Sequence, residues 1–130
     1  MNYTVYDIYY LSLAMMDESE ERGDTIDLEE RTSYILAAFC STCKRLDQKL
    51  RERDSLEKQP SFSNTYIDID DYFPLCDALA VPAATYLASM LAIDENPTLS
   101  EALYDKYCDS IAILGAECSC SAISDVYFND

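Results

Sequence analysis

The side chains in this chain with the types to do chemistry are its six cysteines and its twenty-five carboxylates, and histidine is absent. Without histidine there is no Cys–His or Ser–His nucleophile pair, and the commonest general base and metal ligand is missing. Cys40-x-x-Cys43 has a spacing known from zinc and redox sites, but it falls inside a predicted helix rather than after a strand. The next pair, Cys118-x-Cys120, lies 75 positions on and lacks the internal spacing of a zinc ribbon. Buried packing is the plainer use of such cysteines. Two acidic runs invite a calcium or acid–base reading: Asp17, Glu18, Glu20 and Glu21, then Asp68, Asp70 and Asp71. Neither has the central glycine and closing glutamate of a calcium loop, and short helices offer little cleft for a glycosidase pair. No glycine-rich phosphate loop is present. Catalytic residues, metal and cofactor are all expected to be none, and the chain is read as no enzyme.

Charge narrows the partners. The net charge of −16 opposes direct binding to nucleic acid, which needs cations against phosphate, and opposes anionic membrane surfaces. It suits a surface that repels DNA, one that imitates DNA, or a plain solvated shell. Six of the nine basic residues fall between 44 and 58: Lys44, Arg45, Lys49, Arg51, Arg53 and Lys58. Such a basic end suits head-to-tail contact between identical subunits, and equally complements the dipole of the helix that carries it.

The elements that must position these residues are helical. Nearly half the residues are apolar, with two glycines and four prolines, too few turn residues for an all-β fold. One domain of this length supports a modest core. Thr4 and Asp7 mark a helix start, and Val5, Ile8, Tyr9, Leu11 or Ser12, and Met15 or Met16 form its stripe. That helix is expected to end in the acidic run closed by Gly23.

Asp24 or Thr25 caps a second helix expected to run to about Asp54, with Leu28, Ile35, Phe39, Cys43 or Thr42, Leu46 and Leu50 inward. Residues 55–65 read as a linker. The alternation Tyr66-Ile67-Asp68-Ile69-Asp70 reads as an extended arm that needs a neighbour to pair with, in another subunit if not in its own chain. A third helix is expected from Phe73 or Pro74 to Ile93, kinked or divided at Pro82 and lined with alanine. Asn96-Pro97 forms a corner, and Thr98 with Glu101 a capping box ahead of a fourth helix over 99–114. Leu103, Tyr104, Tyr107, Ile111 and Leu114 are its expected inward positions. Residues 116–130 are expected as a loose C-terminal docking tail on a helical domain over 1–115. The fold class is thus all-α: a small four-helix bundle with an extended arm around 60–70 and a C-terminal tail.

Eleven tyrosines and no tryptophan suit surfaces that are apolar but keep a polar tip wet, such as subunit interfaces or half-buried core edges. Tyr3, Tyr6, Tyr10, Tyr127 and Phe128 are the candidates. The N-terminus has no basic region ahead of an apolar run, and no segment reaches the about 18 apolar residues of a membrane span. Reduced thiols in a cytoplasmic setting are expected.

The order Asp77, Leu79, Pro82, Ala83, Leu87, Leu91, Asp94, Glu95, Asn96, Pro97, followed by Leu103-Tyr104 and Tyr107, resembles the small helical head–tail connector (adaptor or neck) proteins of long-tailed bacteriophages. Ile123, Asp125, Val126 and Tyr127 echo the tail of some of these proteins. The resemblance covers about half the chain. It implies a structural virion protein, a dodecameric ring between portal and tail that extends the DNA channel. Partners would be other copies of the chain, the portal protein and a downstream neck or tail protein, with DNA passing through unbound and no membrane. Assembly would take place in the host cytoplasm. Ile123, Asp125, Val126, Tyr127 and Phe128 would touch the portal or a neighbouring subunit, and Lys44, Arg45, Lys49, Arg51 and Arg53 would form an inter-subunit basic patch. Pro82, Asn96, Pro97, Thr98 and Glu101 would be the scaffold corner. The other reading is an acidic DNA mimic that inhibits a host nuclease or restriction system, although the carboxylates cluster at helix starts and turns, where capping accounts for them.

Overall fold

The computed structural model describes residues 2–16 and 25–128, leaving out the side chains of 25–26 and 119–128. The expected acidic run 17–21 and Gly23 lie outside the described residues. Within them the chain is all-α, with helices α1 (Val5–Met15), α2 (Thr25–Thr42), α3 (Lys44–Arg53), α4 (Ala80–Leu91) and α5 (Pro97–Phe128), and one 3-10 turn at Asp77–Leu79.

The α1 start is as the sequence predicts: the Thr4 hydroxyl accepts from the Asp7 N–H, and the Asp7 carboxylate accepts from the Thr4 N–H. The two remaining free donors of the first turn are taken by the arm. Val5 N–H donates to the Asp71 carbonyl and Tyr6 N–H to the Ile69 carbonyl, each at 2.9 Å. Phe73 N–H donates to the Tyr3 carbonyl, and Thr4 and Tyr72 form an isolated antiparallel bridge. The neighbour of the extended arm is therefore its own N-terminus.

The expected single helix over 25–54 is broken at Cys43, where ψ turns to 8°. The i→i−4 ladder nevertheless continues across the joint: Cys43 N–H reaches the Phe39 carbonyl and Asp47 N–H the Cys43 carbonyl, both at 2.9 Å. The joint is a slight bend rather than a turn. Leu28, Phe39, Cys43 and Leu50 are buried as expected, Ile35 and Leu46 only partly, and Leu36 and Cys40 join the inward face. The α3 end is a Schellman motif: Leu56 N–H donates to the Arg51 carbonyl and Ser55 N–H to the Glu52 carbonyl, with Ser55 at φ 56° where glycine is usual.

The third helix is shorter than expected. Residues 73–76 are not helical, with Cys76 extended, the 3-10 turn follows, and α4 begins at Ala80. Pro82 therefore sits in the first turn of α4, where a missing N–H costs nothing, and does not kink a helix interior. Ala80, Ala83, Ala84, Leu87, Ala88 and Leu91 are buried, which makes α4 the central helix, packed on α5, α1 and α2. Buried hydroxyls close on their own helices: Thr32 donates to the Leu28 carbonyl, Thr85 to Val81, Ser12 to Tyr9 and Ser89 to Tyr86.

The corner residues act differently from the expected capping box. The side chain of Asn96 accepts from the Leu99 N–H at 3.2 Å and Pro97 is the first helical residue, so Asn96 caps α5 rather than Thr98. Proline disfavours a helical conformation in the residue before it and presets its own φ, which moves the start two residues forward. α5 runs through Gly115 to Phe128 in place of a helix ending near Leu114 and a loose tail. At about 1.5 Å per residue it is the longest element by far. Its inward face carries Leu103 and Tyr107, whereas Tyr104, expected inward, is exposed.

Candidate functional site

The most densely bonded polar centre lies where α3 meets the 55–76 connector. Asp47 is fully buried, with both carboxylate oxygens occupied. Oδ2 accepts from Arg51 Nε and Gln59 Nε2, and Oδ1 from the Cys76 backbone N–H, each at 2.7 Å. Arg51 in turn donates to the Glu57 carbonyl at 2.9 Å and the Pro74 carbonyl at 3.0 Å. One ion pair thus pins both ends of an irregular connector to α3. A carboxylate is stable at such a depth only when paired and fully hydrogen-bonded, as it is here. The arrangement holds backbone in place and presents no nucleophile or open ligand position.

This centre alters the expected basic patch. Arg51 is not a free surface cation, since its guanidinium is spent inside the subunit and its side chain is 11% exposed. Arg53 pairs with Asp54 at 2.9 Å, holding that carboxyl below its ordinary pKa, and reaches Glu117 on α5 at 3.4 Å. Lys44, Arg45 and Lys49 remain exposed along α3, Lys44 lying over the Phe62 ring at 5.9 Å.

The cysteines Cys40, Cys43 and Cys76 surround the same region and are buried as free thiols. Burial first, then the Asp47 hydrogen bond and charge, pushes the Cys76 thiol up to about 11. Burial pushes Cys43 up to about 11 against a hydrogen bond from Tyr107 that opposes the rise. Cys40 is raised further, by burial first and then by Cys43 and Asp47. Tyr107 is raised by burial and then by Cys43. Such thiols are poor nucleophiles. Among the described residues no group of three or more Cys, Asp or Glu side chains is placed to hold a metal ion, and no helix is long and apolar enough to cross a membrane.

A second feature is the junction of α4 and α5. Ser100 Oγ donates to the Ser89 carbonyl at 2.7 Å inside the junction, and Asn96 N–H to the Ala92 carbonyl at 2.9 Å. The rings of Phe39, Tyr86, Tyr107 and Tyr104 pack against one another at tilted angles beyond it, with centroids 4.9 Å apart for Tyr86 and Tyr107. On the outside of the junction an open groove of about 510 Å³ is lined by Met90, Ile93, Pro97, Tyr104, Glu101 and Asp105 among others. Glu101, expected in a capping box, lies on its rim, and Thr98 is exposed beside it.

Of the tyrosine candidates, Tyr3 and Tyr10 are exposed and Tyr6 is half-buried, packed against the Tyr9 and Tyr10 rings. For Ile123, Asp125, Val126, Tyr127 and Phe128 the backbone is helical, and their side chains lie outside the described residues. Asp47 and Gln59 were not singled out from sequence. An acidic residue in a basic helix, four before an arginine, was the available signal. No known protein family, curated protein or solved structure matches the chain.

Proposed function

We propose that the chain is a structural head–tail connector of a long-tailed bacteriophage, forming a ring, dodecameric by the resemblance, between portal and tail. One observation carries the reading: the apolar and corner residues at the centre of the resemblance form one buried face and one helix joint. Leu79, Ala83, Leu87 and Leu91 recur every fourth position and are all buried along one face of the central segment. Pro82 sits in the first turn of α4, and Asn96 with Pro97 sets the angle at which α5 leaves it. The charge of −16 suits a channel wall, because a negative lumen repels phosphate and lets DNA pass without binding. The distal part of α5, carrying Ile123, Asp125, Val126, Tyr127 and Phe128, is the segment that reaches the portal or the next subunit.

The test is immunogold electron microscopy of phage particles with an antibody to this chain. Label at the neck is expected. Particles without the protein, together with inhibition of a nuclease by the purified chain, would replace this reading with the DNA-mimic one.

A further inference from the structure

We propose that the groove between the end of α4 and the start of α5 is the docking site for the basic face of α3 on a second copy of this chain. The groove has an apolar floor and an anionic rim. Ile93 and Tyr104, 48% and 43% exposed, sit in the floor with Met90 and Pro97, and Glu101 and Asp105 stand at the edge. Between residues 90 and 109 the chain carries five carboxylates and one lysine, Lys106. Such a surface selects long cationic side chains, whose methylene stems cover the floor while their heads meet the carboxylates.

The exposed face of α3 supplies that chemistry in matching register. Arg45 and Lys49 are one helical turn apart, as are Glu101 and Asp105, so two cations about 6 Å apart face two carboxylates at the same spacing. Among the described residues none of these four groups has an ion-pair partner; the ion pairs there are Arg51–Asp47, Arg53–Asp54 and Arg53–Glu117. The net charge of −16 makes two copies repel at long range, so close contact is favoured where cations meet carboxylates. The inference rests on the connector reading in taking the partner to be another copy of the chain.

Salt screens both the local attraction and the overall repulsion, so charge reversal in the full-length chain is the decisive experiment. Sedimentation velocity over a concentration series should show self-association of the wild-type chain. Glu101→Lys with Asp105→Lys should weaken it about tenfold or more, and so should Arg45→Glu with Lys49→Glu. All four positions are exposed, and circular dichroism should report an unchanged helix content. Mixing the two double variants should regain association, because each reversed groove then meets a reversed face. A monomeric wild-type chain, association indifferent to both reversals, or a mixture that stays dissociated would overturn the assignment. Rings that survive both reversals would remove this contact and leave the connector reading. A mixture that regains association without ever closing rings would do the opposite.

Discussion

Arg51 Nε donates to Asp47 Oδ2 at 2.7 Å in a site where the carboxylate is wholly buried, and through this pair α3 holds Gln59, Pro74 and Cys76. Removing one partner leaves a buried charge and at least one buried N–H without an acceptor. Asp47→Ala is expected to cost about 3–5 kcal/mol in urea unfolding. In a double-mutant cycle, Asp47→Ala and Arg51→Ala should couple by about 1–3 kcal/mol. A cost below about 1 kcal/mol for Asp47→Ala would mean that the connector is held elsewhere.

The cap of α5 is assigned to Asn96, and the two candidate caps separate by mutation. Asn96→Ala should destabilise by about 1 kcal/mol, and Thr98→Ala by a few tenths at most, since Thr98 already lies inside the helix. Thermal unfolding monitored at 222 nm would show the difference. The reverse ranking would restore the Thr98/Glu101 box.

Pro82 gives a prediction of sign. A proline in a helix interior costs about 3 kcal/mol, so replacing it would stabilise the fold. In the first turn of α4 that cost is absent, and Pro82→Ala also frees the unfolded chain. Pro82→Ala should therefore be neutral or destabilising by up to about 1 kcal/mol. Stabilisation by more than about 1 kcal/mol in chemical denaturation would place the proline inside the helix.

The buried thiols make stability depend on alkaline pH. Cys43 and Cys76 have folded-state pKa values near 11 against an ordinary 9.0, so the fold favours the neutral thiol. Their contribution is complete below pH about 9 and is lost as pH rises through about 11. The unfolding free energy should fall across that window, and less steeply in Cys43→Ser. At pH 8 iodoacetamide should label exposed Cys108 well before Cys40, Cys43 and Cys76, as read by peptide mass spectrometry. Rapid labelling of Cys40 without unfolding would contradict the packing described here.

The parts of the fold that depend on neighbours a few residues apart were legible in the sequence. The Thr4/Asp7 box, the stripe of α1, the alanine-lined central helix and the Asn96-Pro97 corner all follow from local rules. Two readings fail, and one stays open, where a longer-range interaction decides. For the arm the sequence leaves the partner open between its own chain and another subunit, because nothing near Ile69 or Asp71 announces that their carbonyls meet Tyr6 and Val5. Arg51 was placed on the surface with its basic neighbours, because a buried carboxylate is invisible until α3 and residues 74–76 are brought together. Residues 116–128 were read as a tail from their low helix propensity, yet a helix already nucleated at Asn96 extends at little cost per residue, and the Arg53–Glu117 pair supports it. The groove beside Tyr104 was missed for a related reason: a one-position error in the inward face of α5 turned an exposed ring into an expected core residue.

The measurement that bears most directly on the connector reading is negative-stain electron microscopy of the purified full-length chain, with its mass measured by mass photometry. Closed rings with an open lumen, at a mass equal to a whole multiple of the 14.7 kDa chain near dodecamer size, are the expected result. A chain that remains monomeric or dimeric at every concentration and inhibits a nuclease would contradict it.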